Sequence, residues 1–167
     1  IQYDTMLPFL RQLAGPMDYT QGAMVNAARH NFRPIHSQPM APGTRAHQLA
    51  LYMILFSPLN MLCDSPSNYR REQECTDFIA SVPTVWDETK VLDGKMGEYI
   101  VTARRKGNDW FIGGITNWTP RDLTIDLSPL NLKEGTEMTI FTDGANAHRN
   151  GNDYRSQTTT VASDSLH

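Results

Sequence analysis

Of 167 residues, 40% are hydrophobic and 20% charged, and 15 basic against 18 acidic side chains leave a net charge of −3. That balance excludes the strong cationic field of a nucleic-acid or acidic-membrane binder, and no apolar run reaches the roughly 20 residues that span a bilayer. The hydrophobic share suffices for a packed core, and two cysteines, Cys63 and Cys75, are too few for a disulfide scaffold.

Ile1 opens inside what reads as a structured segment, with neither a start Met nor a leader, so the chain is expected to be a piece of a longer protein. Asp4 or Thr5 can cap a helix running to about Ala14, with Pro8 tolerated in its first turn. Leu7, Leu10, Leu13 and Ala14 give it one apolar face, and Gly15 suits its C-cap. Met17 to Tyr19 then forms a short extended run that delivers Asp18 and Tyr19 to its C-terminal end. Residues 20–43 hold Gly22, Pro34, Pro39, Pro42 and Gly43 among polar residues, a long loop of the kind that is usually functional.

Thr44 caps the next helix, Arg45 to about Phe56, whose buried face is Leu49, Tyr52, Met53 and Phe56. Pro66-Ser67 opens a third helix through about Ser81, with Tyr69, Phe78, Ile79 and Val82 as its apolar contacts. Beyond Pro83 the hydrophobic period changes to two. Residues 98–105 and 109–116 flank Lys106-Gly107-Asn108 as a hairpin, and residues 123–127, 137–142 and 158–161 read as further strands. Strands with no helix between them predict an antiparallel β-sandwich over 84–167, following an α-rich part over 1–83.

The wording of several stretches is specific. Leu7 to Gly22, Gly43-Thr44-Arg45, Leu59 to Tyr69 and Pro83-Thr84-Val85-Trp86-Asp87-Glu88-Thr89 occur in collinear order and together closely resemble glycoside hydrolase family 97, most nearly its Bacteroides-type α-glucosidase branch. The resemblance implies an α+β chain: the last strand and helices of a catalytic (β/α)8 barrel over 1–83, then a C-terminal β-sandwich domain lacking its last strands. It implies hydrolysis of α-glucosidic bonds in starch-derived oligosaccharides, inverting and calcium-dependent in the full enzyme, in the periplasm or cell envelope. The acid glutamate, the base and the calcium ligands would all lie upstream of Ile1, so no catalytic residue maps onto this sequence and the chain alone is expected to be inert. A second branch of the family resembles retaining α-galactosidases, and a non-catalytic sugar-binding or structural β module is the reading from another class.

Glycoside hydrolysis needs two carboxyl groups about the scissile bond, and the candidates are Asp18, Asp64, Asp87 and Glu88. Asp18 is the one carboxylate at a predicted strand end: it either faces the sugar cleft or accepts N–H groups in the turn from Pro16 to Gly22. Tyr19 either stacks on a sugar or packs in the core. Asn26, Arg29, His30, Arg33 and His36 populate the long loop, as sugar contacts or as a solvated face. His30, His36 and His47 have no carboxylate or thiol at metal-ligand spacing. Cys63 and Cys75 form a disulfide or remain two buried thiols. Trp86, Asp87 and Glu88 read as a brace between the two parts. Tyr99, Trp110, Phe111 and Trp118 read as core or as a sugar platform, and Asp143 to Asp153 as a turn-rich hairpin end that fails the EF-hand order. Leu7, Leu10, Leu13 and Met17, facing an absent barrel, are expected to drive self-association.

Overall fold

The computed structural model describes residues 1–162 together with 165 and 166. Its organising element is the helix α2 (Arg45–Ile54). Thr44 starts it from an extended backbone by accepting the His47 N–H on its hydroxyl at 3.2 Å. A run free of Gly and Pro carries it to Leu55, where the backbone turns extended ahead of Ser57-Pro58. Nearly every side chain from Arg45 to Ile54 is buried, so the helix is enclosed rather than merely faced by a core.

On one side of α2 lies a three-stranded antiparallel sheet, β3 (Glu88–Lys95), β4 (Tyr99–Lys106) and β5 (Asp109–Thr116). The predicted hairpin is there: Lys106 pairs with Asp109, and Gly107 takes φ +59°, the value the first central residue of a primed turn needs. Gly113 lets the sheet approach, because a Cβ there would sit 2.8 Å from the Ala50 carbonyl oxygen and 2.8 Å from the Met53 Cβ. The other face of the sheet packs Val101, Ala103, Trp110 and Ile112 against Ile125, Leu127 and Leu130. There a short ribbon pairs β6 (Ile125–Asp126) with β9 (Ser165–Leu166). A second hairpin, β7 (Glu137–Asp143) with β8 (Tyr154–Thr160), lays Phe141 and Tyr154 on the cluster of Leu49, Met53, Cys75 and Ile79.

Antiparallel strands form where predicted at β4, β5 and β7, β3 adds a strand that was not predicted, and 123–127 shrinks to Ile125–Asp126; the inner face of the main sheet lies on α2 rather than on a second sheet. The layering is therefore helix, sheet, ribbon. Three local expectations change as well. The first helix shrinks to one turn, α1 (Leu7–Leu10), followed by a 3-10 turn at Arg11–Ala14. Within it Leu7 is buried, while Leu10 and Leu13 are 54% and 81% exposed, so only the latter two remain open apolar surface. The third helix is two, α3 (Pro66–Arg71) and α4 (Gln73–Ser81), broken at Glu72 (φ −108°, ψ 53°). Met17 to Tyr19, expected as a short extended run, joins no ladder among the described residues. Within the predicted loop, a two-residue parallel pair joins β1 (Asn26–Ala27) to β2 (Ala41–Pro42).

Candidate functional site

Two polar centres flank α2. The first surrounds Tyr19. Its hydroxyl donates to Asp4 Oδ1 at 2.9 Å, and the His47 Nε2 lies 3.1 Å from Asp4 Oδ2. Burial raises the Asp4 acid, but the hydrogen bond from His47 and, in the isolated chain, the α-ammonium of Ile1 outweigh it and hold the group at about 2. Burial, with the Asp4 carboxylate alongside, pushes the Tyr19 phenol well above its usual range. Tyr19 is thus fixed by its polar end while its ring packs toward Leu51, Ile54 and Leu55. Beside it opens a cavity of about 300 Å³ bordered by Thr20, Met40, Gln48 and Asp64.

The second centre is Arg45, whose side chain is almost fully buried. Its Nε donates to Asn26 Oδ1 at 2.8 Å, its Nη1 to Glu72 Oε2 at 2.9 Å, and its Nη2 to the Met24 carbonyl at 2.5 Å and to Asn152 Oδ1 at 3.4 Å. The Tyr154 ring lies 5.6 Å from the guanidinium. Burial works against the charge, yet the bonds to Glu72 and Cys75 win and raise the Arg45 pKa. Asn152 also accepts the Asn26 N–H at 2.7 Å, and Gly151 accepts the Arg45 N–H at 2.7 Å. One cation thus ties the long loop, α2, the α3–α4 break and the tip of the β7–β8 hairpin together.

The remaining sequence candidates divide plainly. Asp18 is exposed and makes no hydrogen bond or ion pair among the described residues. Asp64 is committed: it accepts from the Met24 N–H, the Ser65 N–H and the Asn68 amide at 2.7–2.8 Å, which offsets its desolvation and lowers its acid. Asp87 takes the Gly107 N–H and Lys106, and Glu88 pairs with Lys90 and Arg105, all within residues 84–167, so neither carboxylate braces the two parts as expected. Trp86 is half-buried, edge-on to Phe111 at 5.4 Å and packed against the cluster of Leu49, Met53, Cys75 and Ile79, the one member of the trio that joins the two parts. Trp110 and Phe111 pack into opposite faces of the sheet. Trp118 is the exposed member of the aromatic set, and Arg29 lies 5.9 Å from its ring, so no row of open aromatics forms a sugar platform.

Asn26 is buried, and Arg33 bonds the carbonyls of His30 and Phe32. Cys63 is exposed, contrary to two buried thiols, and both cysteines are free. His47 does have a carboxylate, Asp4, which sequence spacing hid because 43 residues separate them. Among the described residues no three His, Cys, Asp or Glu side chains converge. No helix among them is long and apolar enough to cross a membrane.

The family model described as Glycosyl-hydrolase 97 C-terminal, oligomerisation, matches residues 85–167. A protein named Retaining alpha-galactosidase, from Bacteroides thetaiotaomicron, is 59% identical over 164 residues, which is 98% of this chain and 25% of that protein. The chain belongs to glycoside hydrolase family 97. A family 97 enzyme from Pseudoalteromonas sp. strain K8, solved in complex with panose, superimposes with a TM-score of 0.83 at 37% identity, covering 99% of this chain and 26% of that one. A Probable retaining alpha-galactosidase from Streptomyces bingchenggensis is 33% identical over 135 residues, 81% of this chain and 19% of that protein. This family 97 chain therefore spans a quarter or less of the length of the curated relatives it matches.

Proposed function

We propose that this chain is the C-terminal portion of a retaining α-galactosidase, in place of the inverting α-glucosidase that the wording of its motifs suggested. The carrying observation is the 59% identity, sustained over 98% of the chain, to a protein named for that activity, against 37% to the enzyme that holds panose.

A retaining glycosidase places two carboxyl groups about 5–5.5 Å apart, one attacking the anomeric carbon and the other donating and then accepting a proton. Here Asp64, Asp87 and Glu88 are each engaged by hydrogen bonds or cations, and Asp18 stands alone. The reacting pair accordingly belongs to other segments of the polypeptide. This chain supplies the brace built on Arg45 and α2.

The test uses the full-length protein and the isolated 167-residue chain with p-nitrophenyl α-galactoside and α-glucoside, following the first-formed anomer by NMR. Full-length enzyme releasing α-galactose first, with no turnover by the isolated chain, supports the reading. Faster cleavage of the glucoside with a β-anomer first restores the inverting α-glucosidase, and turnover by the isolated chain removes the claim that the acids lie elsewhere.

A further inference from the structure

From Gly15 to Thr20 burial alternates residue by residue: Gly15, Met17 and Tyr19 are half-buried, and Pro16, Asp18 and Thr20 are exposed. That is the period of a strand with one face covered. The cover is α2, since Met17 and Tyr19 both pack on its cluster with Leu51, Ile54 and Leu55.

The segment also runs antiparallel to the helix. The Met17 N–H donates to the Phe56 carbonyl at 3.1 Å, just past the end of α2. Farther along, the Tyr52 hydroxyl donates to the Gln21 carbonyl, and the Gly22 N–H donates to Gln48 Oε1 at 3.0 Å, near the start of the helix. From Gln48 to Ile54 six helical steps cover about 9 Å, and the extended steps on to Phe56 add about 6 Å. Five residues from Met17 to Gly22 match that only when extended, at about 16 Å, since coiled they would reach roughly 7 Å. A strand followed by a loop and a helix packed back along it is a βα unit.

Asp18 and Thr20 have no hydrogen bond among the described residues, backbone groups included. The segment is therefore bare on one face and along the edge that carries the Asp18 and Thr20 backbone groups, while Met17 on the other edge is bonded to Phe56; a strand whose neighbour comes from another segment of the polypeptide looks like this. In such units ligands sit beyond the C-terminal ends of the strands. That end is here, where Thr20 borders the 300 Å³ cavity.

We propose that Asp18 is a substrate-contacting residue of the whole glycosidase, its carboxylate accepting hydrogen bonds from hydroxyl groups of the bound sugar ring. The proposal rests on reading the whole protein as a family 97 glycosidase and adds to it a residue that helps select the sugar. The covered face cannot play this part, because Tyr19 is tied to Asp4. The opposing possibility is structural: Asp18 pairs with a cation on a neighbouring strand and braces the sheet.

The experiment uses the full-length enzyme with Asp18→Asn and Asp18→Ala, measuring kcat/KM on the α-galactoside and on its monodeoxy analogues, and Tm alongside. A carboxylate bond to a sugar hydroxyl predicts a loss of about 10- to 100-fold on the parent substrate. On the analogue that lacks the contacted hydroxyl, variant and wild type should agree within about twofold. Tm should stay within about 2 °C. An equal loss on every analogue accompanied by a fall in Tm means a structural ion pair, and no loss on any substrate means no contact. Either result overturns the proposal. Asp18→Asn keeps the volume, so the comparison survives if Asp18→Ala folds poorly. A wild type that prefers the glucoside overturns the galactosidase reading alone and moves the comparison to deoxyglucosides.

Discussion

Replacing Arg45 with Met removes a cation of similar length from the point where four segments meet. The loss is set by what the guanidinium leaves behind. Asn26 Oδ1, the Met24 carbonyl and Glu72 Oε2 lie 2.5–2.9 Å away, and Asn26 is itself buried. Bonds to a charged donor contribute about 1.5–3 kcal/mol each, and recovering the guanidinium's own desolvation cost offsets part of that. Breaking a buried charged group from its partners typically costs about 3–5 kcal/mol. For a chain this long, that lowers Tm by about 10 °C or more. Glu72→Gln separates the contributions: its side chain is 30% exposed, so the pair is partly screened and its loss should cost only about 1 kcal/mol. Urea titration followed by tryptophan fluorescence gives both values. An Arg45→Met cost under about 1 kcal/mol, or a Glu72→Gln cost equal to it, would refute the view that the neutral buried acceptors dominate.

Gly113→Ala should cost about 1–3 kcal/mol by prising β5 from α2. Gly114→Ala, whose Cβ would meet nothing closer than Val101 Cγ2 at 3.5 Å, serves as the neutral control; equal urea midpoints for the two variants would refute the close approach. In the isolated chain, where the Ile1 α-ammonium lies beside it, Asp4 has its acid held at about 2 against an ordinary 3.8, so its contribution is complete above about pH 4 and is lost as pH falls through 2. Discounted for partial exposure it amounts to about 1–2 kcal/mol, and Asp4→Asn should remove it at pH 7 and flatten the stability profile between about pH 4 and 2; an unchanged slope there would count against it.

What could be read from the sequence was local. The helix from Arg45 was legible because Thr44, a break-free run and a following proline all agree. The first hairpin was legible because Gly107 sits between two alternating runs. The break between α3 and α4 was not legible, since Glu72 favours helix locally and its carboxylate is drawn instead to Arg45, 27 residues away. Arg45 showed only as the residue after a cap: its partners Asn26 and Asn152 lie 19 and 107 residues off. The covering of the main sheet by a helix was hidden for a related reason. Alternation tells which residues of a strand are buried, not what buries them.

The sharing of α2 couples the antiparallel sheet to the segment that carries Asp18. One flank of the helix holds Met17 and Tyr19, and the other receives Phe111 and Gly113 of β5. Its C-terminal carbonyls are taken by Arg104 of β4, through Nε to Met53 and Nη2 to Ile54. Burial lowers this arginine to about 10, and no carboxylate offsets the cost, so the helix end itself is what the cation stabilises. A rigid helix clamped between two layers transmits any shift of the sheet to the strand that carries Asp18, because packed interiors move as units rather than deform locally.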